Sequence, residues 1–347
     1  MKVAHFTALR RIELADVDEP VLQRPGDVLL AIDRVGLCGS DVHYYLDGRI
    51  GDQVLHYPAT LGHECSGTVL AAGAAVTHLS AGDRVAVDPA FPCGTCDQCR
   101  LGRFHTCRSL RFMGSPGQAP GALAQRAVVP AACCVKIPDS VSLDEAMLAE
   151  PLSVGLHAVR LAGLVSGAKI AVLGTGPIGL SVVLCAKATA ACSTLATDLL
   201  DERLAVARRC GADVVINARQ ANVAAACARA GLAEFDVVFE CSGDPACVEQ
   251  GQTLLRPGGA LLLVGIPPGD AVSFDPHRMR RHELRFQAVR RQNRCVEPVI
   301  GLIAGKRLDP SPLISHRFPM EQVSAAFELV AGFRDGVIKA VIDVSGK

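Results

Sequence analysis

Hydrophobic and polar residues follow two different patterns along the chain. Up to about residue 150, short apolar runs lie between Gly, Pro and Asp residues, as in Val28–Ile32, Ser66–Leu70 and Arg84–Val87. Runs of this length predict β-strands joined by loops, so the first part of the chain should be β-rich. From Pro151, apolar strands alternate with Ala-rich helical segments, which predicts a doubly wound parallel sheet.

The alternating part is defined by seven segments. They are Lys169–Leu173, Ile178–Thr189, Ser193–Thr197, Glu202–Cys210, Asp213–Ile216, Asp236–Glu240 and Leu261–Val264. After Phe286 the chain is basic and irregular, and then offers a helix at Glu321–Leu329 and a strand at Ile338–Val344. We expect this tail to return to the first domain. The predicted fold class is therefore α/β, with a β-rich domain and a doubly wound domain.

Composition and net charge indicate which kinds of partner the protein can bind. A chain of 347 residues suggests two domains. Lys+Arg and Asp+Glu both total 35, so no basic excess favours nucleic acid or a membrane surface, and a small molecule is the expected partner. The N-terminus lacks a signal-peptide pattern and no run approaches a membrane span, which predicts a cytoplasmic protein whose 15 cysteines are reduced.

Four cysteines are spaced C-x2-C-x2-C-x7-C. They are Cys93, Cys96, Cys99 and Cys107. Four thiolates at this spacing predict a closed tetrahedral zinc site without a free position for substrate, in a structural lobe over residues 90–110. The alternatives are a loop of free thiols and a zinc knuckle that binds nucleic acid. The few neighbouring arginines give little support to a zinc knuckle.

A glycine-rich turn follows the strand Lys169–Leu173. It carries Gly174, Gly176, Pro177, Ile178 and Gly179 in a G-x-G-x-x-G pattern that opens a helix. This context is the fingerprint of a dinucleotide-binding turn, whose helix N-terminus faces the pyrophosphate.

Asp198 closes the next predicted strand, where a carboxylate can accept the hydroxyl groups of the adenosine ribose. A carboxylate there would repel the phosphate of NADP, so NAD is the expected cofactor. Arg203 nearby could soften this preference, and the sequence leaves the strictness of NAD over NADP open. Asp198 could instead cap the following helix.

Cys38, His63 and Glu64 lie on Gly-flanked segments of the first domain. Each could be structural in isolation, but their occurrence together beside a nucleotide-binding fold suggests a second metal site. His63 and Glu64 are adjacent, so both can bind one metal only if the backbone there departs from a regular strand.

These residues carry a family resemblance. The segments Cys38–Tyr45 and Gly62–Glu64, the cysteine spacing, Glu150–Gly155 and the glycine turn resemble the zinc-containing medium-chain alcohol dehydrogenases. Val42–Tyr45 with Gly48–Gly51 resembles the polyol branch, the sorbitol and xylitol dehydrogenases. The resemblance runs from about Val3 to Val344. It implies a GroES-like catalytic domain over residues 1–151 and 288–347 and a Rossmann domain over residues 152–287.

The resemblance also implies one catalytic and one structural zinc in each subunit. Cys38 and His63 would bind the catalytic zinc. Glu64, Glu150 or both would supply the carboxylate, and the sequence leaves open which of them ligates directly. The implied reaction is NAD-dependent oxidation of a secondary hydroxyl to a ketose, through a zinc-bound alkoxide and hydride transfer to nicotinamide.

Catalytic and substrate roles follow from the same resemblance. Ser40 and His43 would relay the hydroxyl proton outward, and Glu150 would assist catalysis. Tyr44, Glu150 and Arg290 would contact substrate, with Phe112 as a pocket wall. Arg291 departs from the animal enzymes, where a tyrosine would follow Arg290, so the polyol and its stereochemistry stay open.

Three alternatives remain. The extra cation Arg291 could favour a sugar acid, which keeps L-idonate dehydrogenase open, and L-threonine dehydrogenase is a chemical neighbour. A different class would be a non-catalytic redox sensor that binds zinc and NAD. The oligomeric state is not readable from the sequence, but the resemblance implies a homotetramer.

Overall fold

Strands dominate the first part of the chain and alternate with helices in the middle. The computed structural model describes residues 1–229, 231–232, 234–269 and 271–346. Its strands are β1 (Lys2–Ala8), β2 (Arg11–Asp16), β3 (Asp27–Gly36), β4 (Arg49–Ile50), β5 (Gln53–Val54), β6 (Glu64–Ala72), β7 (Arg84–Val87), β8 (Ala90–Phe91), β9 (Arg111–Phe112), β10 (Arg126–Pro130), β11 (Cys134–Lys136), β12 (Lys169–Leu173), β13 (Ser193–Asp198), β14 (Val214–Asn217), β15 (Phe235–Glu240), β16 (Leu255–Leu263), β17 (Arg285–Ala288), β18 (Ile314–Pro319) and β19 (Lys339–Asp343). Its helices are α1 (Gly39–Asp47), α2 (Asp97–Arg100), α3 (Leu143–Ala162), α4 (Pro177–Thr189), α5 (Asp201–Arg209), α6 (Val223–Arg229), α7 (Pro245–Leu254), α8 (Pro276–His282), α9 (Val296–Ala304) and α10 (Val323–Ala331).

The chain divides into two compact units. The first comprises Met1–Glu150, Val296–Gly305 and Ile314–Lys347, and the second comprises Pro151–Cys295 and Lys306–Leu313. The family resemblance predicts domain boundaries between residues 151 and 152 and between residues 287 and 288. The first change of unit falls inside α3, immediately before Pro151.

The first unit is built on a mostly antiparallel sheet in the order β11-β7-β6-β3-β19-β18, with β10 also paired to β3. Inward and outward positions alternate along much of β3, as expected for a strand with one face on the core. Phe6, Tyr45 and Phe327 pack together, with Phe6 and Phe327 edge to face at 5.2 Å. Gly36 at the end of β3 pairs with Glu64 at the start of β6, and this pair positions the site described below.

The second unit contains a parallel sheet in the order β14-β13-β12-β15-β16-β17. This order is that of the doubly wound dinucleotide-binding fold, with its switch point between β12 and β15. Residues 170–173 of β12 are fully buried, as a strand covered on both faces requires. The predicted fold class is confirmed.

Individual elements differ in how well the sequence predicts them. The segments Arg84–Val87 and Lys169–Leu173 are strands with the predicted limits. β16, in contrast, begins at Leu255 rather than Leu261. Residues 256–259, which include Gly258 and Gly259, belong to this strand at the point where its pairing with β15 shifts register, and the apolar pattern does not extend over them. Within the described ranges no helix has both the length and the apolar character needed to cross a bilayer.

Candidate metal centre and dinucleotide site

The four predicted cysteines converge around one point of the first unit. Their four sulfur atoms all lie within 4.8 Å of one another. Cys96 Sγ is 3.6 Å from Cys99 Sγ and 3.9 Å from Cys107 Sγ. A tetrahedron of Zn–S bonds of about 2.3 Å has edges of about 3.8 Å, so this group, which we call the cysteine cluster, fits zinc.

The backbone around the cysteine cluster favours thiolates. Hydrogen bonds from the backbone N–H groups of Thr95 and Cys96 lower the pKa of Cys93 to about 6. The N–H groups of Arg108 and Cys99 likewise lower the pKa of Cys96, whereas burial raises that of Cys99 to about 12. The loop therefore provides N–H donors that stabilise the thiolate form of Cys93 and Cys96 even without a bound metal ion.

Cys38, His63 and Glu64 form a second group, which we call the mixed cluster. Their ligand atoms also lie within 4.8 Å of one another. Gly62 has a φ of +92°, and β6 begins only at Glu64, so His63 lies outside the strand. This irregular backbone lets two adjacent side chains approach one point, which was the condition set by the sequence.

Asp41 orients two members of the mixed cluster. Its Oδ1 lies 3.4 Å from Nδ1 of His63, and its Oδ2 accepts a hydrogen bond of 3.1 Å from the N–H of Cys38. Burial lowers the pKa of His63, but the charges of Asp41 and Cys38 outweigh it and the pKa lies well above 6.5. A carboxylate on Nδ1 leaves Nε2 for a metal, as in many histidine metal sites.

Lys339 binds the third member. Its Nζ donates to Oε1 and Oε2 of Glu64 at 2.7 and 2.6 Å and to the carbonyl of Leu37 at 2.9 Å. Both charged side chains are 1% exposed. Gly36 provides the space, because a Cβ at that position would collide with the Glu64 carboxylate.

Glu150 lies on α3 beside the mixed cluster. Burial raises its pKa to about 7, while the charge of His63 lowers it and that of Glu64 raises it. Glu64, not Glu150, belongs to the compact three-residue group among the described residues. A carboxyl with a pKa near neutrality is suited to accept and release a proton.

The donor set of the mixed cluster fits a catalytic zinc. One thiolate, one imidazole and one carboxylate are three ligand types that zinc takes, and three protein ligands leave a further position. The cysteine cluster, with four ligands, leaves none.

The predicted substrate residues are distributed over both units. In the first unit Tyr44 is buried and donates to Oε1 of Gln53 at 3.1 Å, and the ring of Phe112 lies 5.2 Å from that of His63. Ser40 and His43 are half-buried and lie three residues apart on α1, and Nδ1 of His43 is 3.6 Å from Asp47. Arg290 is exposed in the second unit.

The glycine turn of the second unit has the packing that its pattern predicts. Gly174 has a φ of +90°, and a Cβ at Gly179 would collide with the carbonyl oxygen of Gly174. Gly176 precedes α4, whose first residue is Pro177. The helix N-terminus carries no capping side chain and fits a phosphate.

Asp198 ends β13 and accepts four hydrogen bonds. Oδ2 accepts from N–H and Oγ1 of Thr175 at 2.8 and 3.0 Å, and Oδ1 accepts from the N–H groups of Leu199 and Leu200 at 2.7 and 3.1 Å. The latter two residues precede α5, so Asp198 does not cap a helical N–H. Arg203 Nη1 is 3.9 Å from Oδ2.

Three residues of these sites were not assigned from the sequence. Asp41 lies within the segment Cys38–Tyr45, and its position three residues after Cys38 is that of a helix-capping carboxylate. Lys339 is a cation inside the apolar run Val337–Ile342, which signals a buried partner. Gln53, the partner of Tyr44, gave no signal.

Comparisons with known proteins agree with this geometry. Residues 24–139 match the alcohol dehydrogenase GroES-like domain, and residues 177–305 match the zinc-binding dehydrogenase domain. Sorbitol dehydrogenase of Gallus gallus is 40% identical over 94% of this chain and 91% of its own length. Sorbitol dehydrogenase of Bacillus subtilis is 34% identical over 99% of this chain and 97% of its own.

A solved structure extends the likeness. An alcohol dehydrogenase from Escherichia coli, complexed with the cofactor NADH, has a TM-score of 0.92 and 27% identity over 99% of both chains. Since the two domain families match more than half of the chain and relatives of this identity cover nearly its full length, the chain belongs to the zinc-binding alcohol dehydrogenase family.

Proposed function

We propose that the protein oxidises a secondary hydroxyl of a polyol to the ketose with NAD. In this proposal the first unit is the catalytic domain and the second binds the dinucleotide. The observation that carries it is the mixed cluster, whose three ligands differ in kind from the closed cysteine cluster of the same unit. The sorbitol dehydrogenase relatives support a polyol as substrate.

Cys38, His63 and Glu64 would hold the catalytic zinc, and the cysteine cluster would hold the structural one. Zinc bound there would supply Lewis acidity that lowers the pKa of a hydroxyl, and NAD would supply the hydride acceptor. Asp41 fixes the ring of His63, and the ring of Phe112 packs against it.

Side chains of the protein itself would carry the proton of the substrate hydroxyl. Glu150 is a carboxyl group buried beside the mixed cluster, and it would take up and return a proton during the reaction. Ser40 and His43, one helical turn apart on α1, would carry the substrate proton toward solvent. His43 is 41% exposed at its side chain, as the outer end of such a relay should be.

Substrate recognition needs groups that match several hydroxyls. Tyr44 and Glu150, both buried in the first unit, would provide such groups. Buried polar groups of this kind are left unpaired by an alcohol that lacks the matching hydroxyl, so a simple alcohol should be a poor substrate.

Cofactor binding would use the glycine turn for the pyrophosphate, with Pro177 and Ile178 at the helix start. Asp198 would accept from the adenosine ribose, and Arg203 would lie beside it. The carboxylate supports NAD over NADP.

The experiment measures NADH formation by zinc-replete protein with sorbitol, xylitol, galactitol, L-idonate, L-threonine and ethanol, with NADP and a chelator as controls. Chelator-sensitive turnover of a polyol with NAD is the expected result. A preference for L-idonate would give Arg291 a role in charge recognition. Failure to turn over any of them, in protein carrying two zinc ions per subunit, would favour the redox-sensor alternative.

We also propose a cytoplasmic homotetramer. Fifteen free cysteines suit a reducing compartment. β14 and β17 end the parallel sheet, and strands at such edges are available for pairing between subunits. Light scattering coupled to size-exclusion chromatography would give the subunit number.

A further inference from the structure

Lys339 carries a buried positive charge next to the mixed cluster. Its three N–H donors are used by the Leu37 carbonyl and by both oxygens of Glu64. The residue lies on β19, 275 positions after Glu64 in the chain, so the pair exists only through the tertiary fold.

The ammonium holds backbone as well as side chain. The carbonyl of Leu37 and the N–H of Cys38 belong to one peptide group. Lys339 binds that group through its oxygen at 2.9 Å, and Asp41 binds it through its nitrogen at 3.1 Å. Lys339 therefore fixes the position of two members of the mixed cluster, Glu64 through its carboxylate and Cys38 through its backbone.

The charges nearby are mostly negative. The carboxyl groups of Glu64, Asp41 and Glu150 are all buried in this part of the first unit, and Cys38 adds a thiol. Removing one partner of a buried ion pair strongly destabilises a protein, because the remaining charge is left unpaired. Replacing such a pair by apolar residues often costs nothing, so a pair at this position points to a role other than stability.

A divalent cation bound by Glu64 would satisfy the same carboxylate. We propose that Lys339 is a positioning residue whose charge neutralises Glu64 and holds the mixed cluster together in the absence of zinc, and that zinc and Lys339 are alternative counter-charges for this carboxylate. The proposal rests on the metal role assigned to the cluster under the proposed function.

Zinc and the lysine charge are thermodynamically linked because both interact with Glu64. Loss of the lysine charge leaves Glu64 unpaired in protein without the catalytic zinc but not in protein that carries it. The zinc-poor form should therefore lose more stability than the zinc-loaded form, and zinc should stabilise the variant more than the wild type. A lysine that served only packing would destabilise both forms equally.

The test compares thermal unfolding of protein carrying one and two zinc ions per subunit, with metal content measured in both. In Lys339→Met we expect the difference in Tm between the two forms to widen by roughly 10 °C relative to wild type. Lys339→Arg, which keeps the charge, should retain the wild-type difference even if both Tm values fall. Lys136→Met, which removes an exposed lysine paired with Asp83 in the same unit, should change neither.

If Lys339→Met folds only when it carries two zinc ions per subunit, this result would strongly support the proposal. If it does not fold in either form, Lys339→Gln keeps an amide donor, loses the charge and should widen the difference in the same direction. An unchanged difference in Lys339→Met or Lys339→Gln would overturn the proposal. Wild type that gains no stability from a second zinc would instead remove the metal role of the mixed cluster, and with it the proposed function.

Discussion

The two clusters of the first unit are built in opposite ways. The cysteine cluster draws its ligands from one stretch of 15 residues, Cys93 to Cys107, at a partly exposed loop whose own N–H groups stabilise the sulfur atoms. The mixed cluster draws its ligands from the end of β3 and the start of β6, and buried charges from α1 and β19 hold them.

This difference separates two tasks. A local loop with four similar ligands closes around a metal and needs little from the rest of the fold. A site that must keep a position for substrate cannot be held by its ligands alone, so outer residues supply the missing restraint. If this comparison is right, damage to the first cluster should appear in stability and damage to the second in catalysis.

The largest expected effect is on the stability of the lobe. Cys107→Ser should remove zinc from the cysteine cluster and with it binding energy on the order of 10 kcal/mol, so residues 90–110 should become sensitive to protease. Limited proteolysis and zinc content check this, and the catalytic zinc should remain. A lobe as resistant to protease as that of the wild type would contradict this prediction.

Cys38→Ser should have the converse effect. Loss of a metal that stabilises charge by several kcal/mol should lower kcat/KM by at least about 10³-fold. Thermal unfolding should change much less than in Cys107→Ser, and one zinc per subunit should remain. Cys192→Ser, at a half-buried thiol of the second unit, is the matched control and should keep both zinc ions and full activity.

Asp41→Asn should produce a smaller loss. The amide keeps the size of the side chain but loses the charge that faces His63, so we expect zinc affinity or kcat/KM to fall about 10- to 100-fold. Competition with a zinc chelator measures the affinity. Wild-type affinity together with wild-type kcat/KM would mean that Asp41 serves only to cap α1.

The smallest effect, taken per pH unit, is the pH dependence of stability. In protein stripped of the catalytic zinc, the folded-state pKa of Glu150 is raised from 4.5 to about 7, so its contribution to stability is complete below pH 4.5 and is lost as the pH rises through about 7. The free energy of unfolding should decline across this window by up to about 1.4 kcal/mol per pH unit. Denaturant unfolding of Glu150→Gln should lack this decline, and an equal slope in both proteins would contradict it.

The same contrast explains what the sequence could predict. Ligands that lie close in the chain, as in the cysteine cluster and the glycine turn, leave a spacing that is readable directly, and β12 follows from its apolar run. The contacts of Lys339 with Glu64 and of Tyr44 with Gln53 depend on how strands and hairpins pack, and no spacing encodes them. The approach of His63 and Glu64 to one point likewise depends on the backbone at Gly62, which a pattern of residue types does not specify.

Gly36 has a consequence for redesign of this enzyme. A Cβ there would clash with Oε2 of Glu64 and with the sulfur of Met147. A larger residue at the end of β3 would therefore displace the Glu64 carboxylate, although the position touches neither substrate nor cofactor in the proposed function. A mutational library aimed at new substrates should leave position 36 constant and vary Gln53, the hydrogen-bond partner of Tyr44, instead.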